Sequence, residues 1–219
     1  MVFKVCGMRE KGNIADVAAL NPTMMGFIMY DKSPRYVGVK ALPATPEDVM
    51  RVGVFVNAEM QHIMDMVNYH DLDFVQLHGS ESVKMCEALR KADVGVIKAI
   101  SVAAEGDIKK AAEYAECVDC LLFDTKCEEH GGSGKRFDWS LLESYEELGL
   151  DTPYMLSGGI DDTMADEINE LAARYENFAG VDLNSRFEVE PALKDVKKLE
   201  AFVAQLDIDD LSDLEDLEE

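Results

Sequence analysis

Eight short runs rich in valine, isoleucine and leucine recur at roughly 25-residue spacing, the rhythm of strands alternating with crossover helices. They are VFKVC (2–6), MMGFIMY (24–30), VGVFVN (52–57), DFVQLHG (73–79), VGVIKAISV (94–102), CVDCLLFDT (117–125), PYMLSGG (153–159) and FAGVDLNS (178–185). Their near-continuous apolar character, without a polar face, is that of parallel strands covered on both sides. Between them, amphipathic stretches predict helices over 12–21, 58–70, 81–92, 105–116, 137–148, 161–175 and 191–206. Pro46 ahead of two acids predicts a further short helix over 46–50.

Two architectures accept this order, an open doubly wound sheet and a closed barrel. An open sheet built for a dinucleotide carries G-x-G-x-x-G after its first strand, and here that strand runs into CGMREKGN. Eight units in 219 residues favour closure. The expected fold is α/β, a single-domain (β/α)8 TIM barrel over residues 1–206 that forms the catalytic domain. Residues 207–219 hold eight acids and no base and are expected to be an acidic C-terminal tail.

A formal charge of −23 argues against nucleic acid or an anionic membrane as partner. No apolar run approaches the ~18 residues of a membrane helix, and the N-terminus lacks the form of a signal peptide. Five cysteines without a regular framework suit a reducing compartment, so a cytoplasmic location is expected. Oligomeric state leaves no signature in the sequence. Cys117, Cys120, Cys127 and His130 imitate zinc spacing. An extended strand, however, puts Cys120 and Cys127 on the order of 20 Å apart at ~3.3 Å per residue, and no metal is expected. GGSGKR is not a nucleotide loop, because Glu129 stands where the first glycine belongs and Arg136 replaces Ser/Thr.

In a barrel of this kind the chemistry gathers at the C-terminal ends of the strands. Those ends hold Cys6-Gly7, Ser33-Pro34-Arg35, Asn57, Gln76 and His78, Asp124, Ser157-Gly158-Gly159, and Asp182 with Asn184 and Ser185. Asp124 closes a buried strand and opens a Gly-rich loop, a common way to present a catalytic carboxyl and also a common strand ending. Gly158 and Gly159 allow the backbone to approach an anion, or simply make a tight turn. Asn184 and Ser185 lie where the other half of a phosphate cup would be. Arg35, next to Pro34, suits a bidentate hold on a carboxylate, or solvation. Cys6 is either a buried small hydrophobe or, facing the barrel mouth, a base.

Taken together, KVCGMRE, GFIMYDKSPRYV, VGVFVN, DFVQLHGSE, LLFDT…GGSGKRFDW, LSGGI and GVDLNSRFE…P…KD resemble the phosphoribosylanthranilate isomerase family of tryptophan biosynthesis. The resemblance reaches to about residue 205. It implies a (β/α)8 barrel, no cofactor, and an Amadori rearrangement of a small phosphorylated substrate, N-(5-phosphoribosyl)anthranilate. By that resemblance Asp124 is the general acid and Cys6 the general base. Arg35 holds the anthranilate carboxylate, while Gly158, Gly159, Asn184 and Ser185 hold the phosphate. The family's eighth strand runs Asp-Val-Ser-Ser-Gly. Here it runs Asp182-Leu183-Asn184-Ser185-Arg186, which predicts a rebuilt phosphate cup. Lys4 and Asp182 are expected to pair inside the barrel, and Trp139 to pack its helix against it. The alternatives are another phosphosugar barrel isomerase, such as the histidine-pathway enzyme, for which aspartate is expected in place of Cys6, or a barrel that only binds.

Overall fold

The computed structural model describes residues 1–38, 40–125 and 137–208. Eight parallel strands close in sequence order: β1 (Val2–Cys6), β2 (Met24–Ile28), β3 (Met50–Phe55), β4 (Phe74–Leu77), β5 (Gly95–Val102), β6 (Cys120–Thr125), β7 (Tyr154–Leu156) and β8 (Phe178–Leu183). Closure is made by β8 against β1, with Phe3 opposite Val181 and Lys4 opposite Asp182. The (β/α)8 expectation is met. Closure leaves no open sheet edge, so the strands' hydrogen-bonding groups find partners within the barrel.

Alternation along each strand sorts the side chains. Outward residues such as Val5, Phe27, Val75, Leu121 and Phe123 join the large core beneath the helices. Inward residues Met24, Val52, Ile97, Cys120, Leu122 and Met155 form a second, smaller core inside the barrel. Continuing along the same inward register, β6 passes from Cys120 and Leu122 to Asp124, and β7 passes from Met155 to Ser157. The barrel is therefore apolar at its N-terminal end and polar at its C-terminal mouth.

The crossovers are uneven. Helices α1 (Lys11–Ala18), α2 (Met60–His70), α3 (Val83–Lys91), α4 (Glu105–Lys109), α5 (Glu143–Glu146), α6 (Ala165–Arg174) and α7 (Val196–Val203) cover the outside. The helix expected over 46–50 is absent. Pro46 instead accepts a turn hydrogen bond from the Val49 N–H, and Met50 N–H bonds Thr23 O, which draws the chain straight into β3. The long helix expected over 137–148 is a 3₁₀ turn over Trp139–Leu142 leading into the short α5. Ser144 Oγ bonding back to Leu141 O marks the join. Trp139 is buried in the outer core, as expected.

The largest correction lies at 188–194. The sequence predicts a helix from Pro191, but an antiparallel hairpin forms there, β9 (Glu188–Glu190) and β10 (Leu193–Lys194). Pro191 sits in its turn, followed by Ala192 at φ 71°. The helix begins only after Asp195, whose carboxylate accepts from Lys198 N–H as an N-cap. Among the described residues no helix is long and apolar enough to cross a membrane. The acidic tail expectation falls, apart from Asp207 and Ile208, outside the described residues.

Candidate active site

At the C-terminal mouth of the barrel a cavity of about 280 Å³ opens. Cys6, Arg35 and Asp124 line it, and so do Gly158, Gly159, Asn184 and Ser185. All seven residues picked from the sequence thus meet in one place.

Cys6 ends β1 and is 3% exposed. Its neighbour across the sheet is Gly26, where a Cβ would stand 2.6 Å from the Cys6 sulfur and 3.1 Å from Lys4 Nζ. Burial pushes the Cys6 thiol above its ordinary value, opposed chiefly by the ammonium of Lys4. Lys4 donates to Asp182 Oδ1 at 2.9 Å, both side chains being buried, so the pairing expected from the sequence forms. Burial works against the Lys4 charge, but Asp182 and Cys6 outweigh it and raise the ammonium. Burial also pushes Asp182 toward its neutral acid, against Lys4. The short contact between fully buried groups favours the ionised form, since charge assistance is what compensates their desolvation.

Asp124 sits at the top of β6, with Oδ2 3.1 Å from His78 Nε2. His78 Nδ1 in turn lies 3.0 Å from Gln76 Nε2. With the amide nitrogen donating to Nδ1, the imidazole carries its proton on Nε2 and donates to Asp124 Oδ2, an oxygen that can accept whether or not the other carboxyl oxygen holds a proton. The loop carrying His78 is anchored beneath. Lys98 Nζ donates to Leu77 O, Gly79 O and Glu81 Oε2, and Glu81 accepts from Asn57 and Gly79 N–H groups.

Gly158 serves a purpose the sequence reading did not assign to it. It holds φ 82°, and a Cβ there would run into Asp124 Oδ1 and Thr125 N. Its missing side chain makes room for the Asp124 carboxyl group.

Arg35 does not stand free. Glu188, buried on β9, takes its Nε and Nη2 through hydrogen bonds of 2.9, 3.0 and 2.6 Å. Lys194, on β10, bonds Glu188 Oε1 at 2.6 Å and Asn184 Oδ1 at 2.7 Å. Burial weakens the Lys194 ammonium in spite of Glu188. The sequence reading missed His78 as a partner of Asp124, and missed Glu188 and Lys194 altogether. His78 stood among the strand ends and was identifiable there, but Glu188 and Lys194 depend on a hairpin that reads as helix.

The family model for N-(5'-phosphoribosyl)anthranilate isomerase matches residues 3–205. The chain is 46% identical over 211 residues to the N-(5'-phosphoribosyl)anthranilate isomerase of Parabacteroides distasonis, covering 94% of this chain and 93% of that one. It is 41% identical over 206 residues to the protein of that name from Phocaeicola vulgatus, covering 94% and 98%. Among solved structures, phosphoribosyl anthranilate isomerase from Thermotoga maritima superposes with a TM-score of 0.79 at 34% identity, covering 94% and 98%. A complex of phosphoribosyl anthranilate isomerase with reduced 1-(o-carboxyphenylamino)-1-deoxyribulose 5-phosphate superposes with a TM-score of 0.76 at 31% identity, with the same coverage.

Proposed function

The chain belongs to the N-(5'-phosphoribosyl)anthranilate isomerase family, and on that premise we propose how its own residues divide the work. The activity is that of the family: the Amadori rearrangement of N-(5'-phosphoribosyl)anthranilate to 1-(2-carboxyphenylamino)-1-deoxyribulose 5-phosphate in tryptophan biosynthesis.

Asp124 donates a proton to the furanose ring oxygen as the C1′–O bond breaks, and the anthranilate nitrogen supplies the electron pair that makes the iminium. His78 Nε2–H then faces the carboxylate left behind. Cys6 removes the proton from C2′, the released pair forms the enolamine, and transfer of a proton to C1′ with loss of the enol proton gives the ketone. The resting thiol is held protonated by burial. The iminium cation, added to the neighbouring Lys4 ammonium, supplies the positive charge that lets the thiol give its own proton to solvent, and the thiolate so formed is what takes the proton from C2′.

Arg35 receives the anthranilate carboxylate, and Gly158, Gly159, Asn184 and Ser185 receive the phosphate. Lys194 engages the oxygen of the Asn184 amide, which leaves the amide NH₂ as donor toward an anion. This is the rebuilt cup in place of the family's Ser-Ser-Gly. The observation that carries the assignment is that Cys6 and Asp124, distant in sequence, line one cavity with Arg35 and the paired glycines. The test uses freshly made N-(5'-phosphoribosyl)anthranilate and follows its anthranilate fluorescence. Fluorescence that falls no faster than spontaneous decay defeats the reading.

A further inference from the structure

We propose that Glu188 is a positioning residue that sets substrate selectivity: it occupies the side edge of the Arg35 guanidinium, so that the end-on edge is what meets a substrate carboxylate. This rests on the reading that Arg35 receives the anthranilate carboxylate.

A guanidinium offers a carboxylate two bidentate edges, the side edge of Nε and one Nη, and the end-on edge of both Nη atoms. Glu188 fills the first, taking Nε through both oxygens and Nη2 through Oε2. Nη1 has no partner among the described residues, and Arg35 lines the cavity while remaining only 15% exposed. The ring carboxylate of the substrate is therefore offered one planar fork in one orientation.

Glu188 cannot swing away from this duty. It pairs across the hairpin with Lys194, its Oε1 accepts from Lys194 Nζ and from Ala192 N–H, and its side chain is 4% exposed. Arg35 is penned on its other side: a Cβ on Gly7 would stand 2.8 Å from Arg35 Cδ, 2.9 Å from Asn184 Oδ1 and 3.5 Å from Lys194 Nζ. Charge does not undo the geometry. Lys194 balances Glu188, so the cluster of two cations and one anion keeps the Arg35 charge for the substrate. Glu188 is also held ionised: burial opposes its charge, but Arg35 and Lys194 more than offset that.

The experiment measures kcat/KM for two substrates, N-(5'-phosphoribosyl)anthranilate and the aniline adduct that lacks the carboxylate. The proteins are wild type, Arg35→Met, Glu188→Gln and the double variant. The anthranilate-to-aniline selectivity ratio is expected to fall roughly 10- to 100-fold in each single variant, the loss typical of a charge-assisted hydrogen bond. The double variant is expected to fall no further, and in every variant kcat/KM for the aniline adduct is expected to change less than that for the anthranilate. A variant that merely folds poorly lowers both substrates together and leaves the ratio intact, which overturns the proposal. An unchanged or increased ratio in Glu188→Gln beside a collapsed one in Arg35→Met overturns it while sparing the role of Arg35. An unchanged ratio in Arg35→Met removes both.

Discussion

His78 Nε2 stands 3.1 Å from Asp124 Oδ2, while the opposite ring nitrogen of His78 is held 3.0 Å from the Gln76 amide. Residues at and just beyond the end of β4 therefore hold the carboxyl group carried by β6. Replacing Asp124 by Asn is expected to lower kcat by ~10²–10⁴-fold, as loss of an acid–base group does. His78→Ala misplaces the same carboxyl, and a loss on the order of 10²-fold is expected. In an Asp124→Asn background the His78→Ala change should cost little more, because both act on one proton. Multiplying losses in steady-state kinetics would place His78 in a separate step.

Gly158 lies against Asp124 from the β7 side, and its replacement tests how tightly the acid is confined. Gly158→Ala puts a methyl where Asp124 Oδ1 and Thr125 N stand, at a φ of 82° that L-residues avoid. A loss of about 1–3 kcal/mol in stability is expected from the backbone strain. A fall in kcat should accompany it, because the acid must shift. Denaturant unfolding with parallel kinetics checks this, and wild-type kcat with normal stability would contradict it.

The β4–α3 loop hangs on a buried ion pair, Lys98 Nζ to Glu81 Oε2 at 3.0 Å, with both side chains almost fully buried. Lys98→Met leaves the carboxylate without a counterion, and ~3–5 kcal/mol of destabilisation is expected. Lys98→Met with Glu81→Gln should be milder than Lys98→Met alone, since an uncharged amide needs no counterion. Urea midpoints for the three proteins decide it.

Buried thiols link stability to alkaline pH. Burial pushes Cys86 and Cys120 up to about 12, and Cys6 upward too, against Lys4. In each case the native state holds the proton more tightly than the unfolded chain. That stabilisation is complete below the ordinary thiol value of 9.0 and is lost as pH climbs toward the native values. Urea midpoints measured in steps from pH 8 to 11 should therefore fall above 9. Iodoacetamide should alkylate these native thiols slowly at pH 8, and fast uptake of the label at Cys6 would show that its thiolate is already present at rest.

Much of the site was legible because barrel strands end in their chemistry. Cys6, Asp124 and Asn184 each close an apolar run, and alternation alone puts their side chains inside the mouth. Glu188 and Lys194 were not legible. PALKDVKK has the apolar spacing of a helix start, and only the turn at Ala192 together with the Lys194 N–H bond to Asn13 Oδ1 makes it a hairpin. The missing helix before β3 has a similar origin. A local proline signal was outweighed by the Met50 N–H bond to Thr23 O.

The sequence by itself determined the eightfold alternation, the inward polar positions and the pairing of Lys4 with Asp182. These follow from local periodicity and from a strand order that only closure satisfies. Tertiary structure alone decided what each site residue touches. It gave Asp124 to His78 and half of Arg35 to Glu188, because those partners come from elements far apart in the chain. Their meeting depends on strand register and on a hairpin whose stability is set by its neighbours rather than by its own residues.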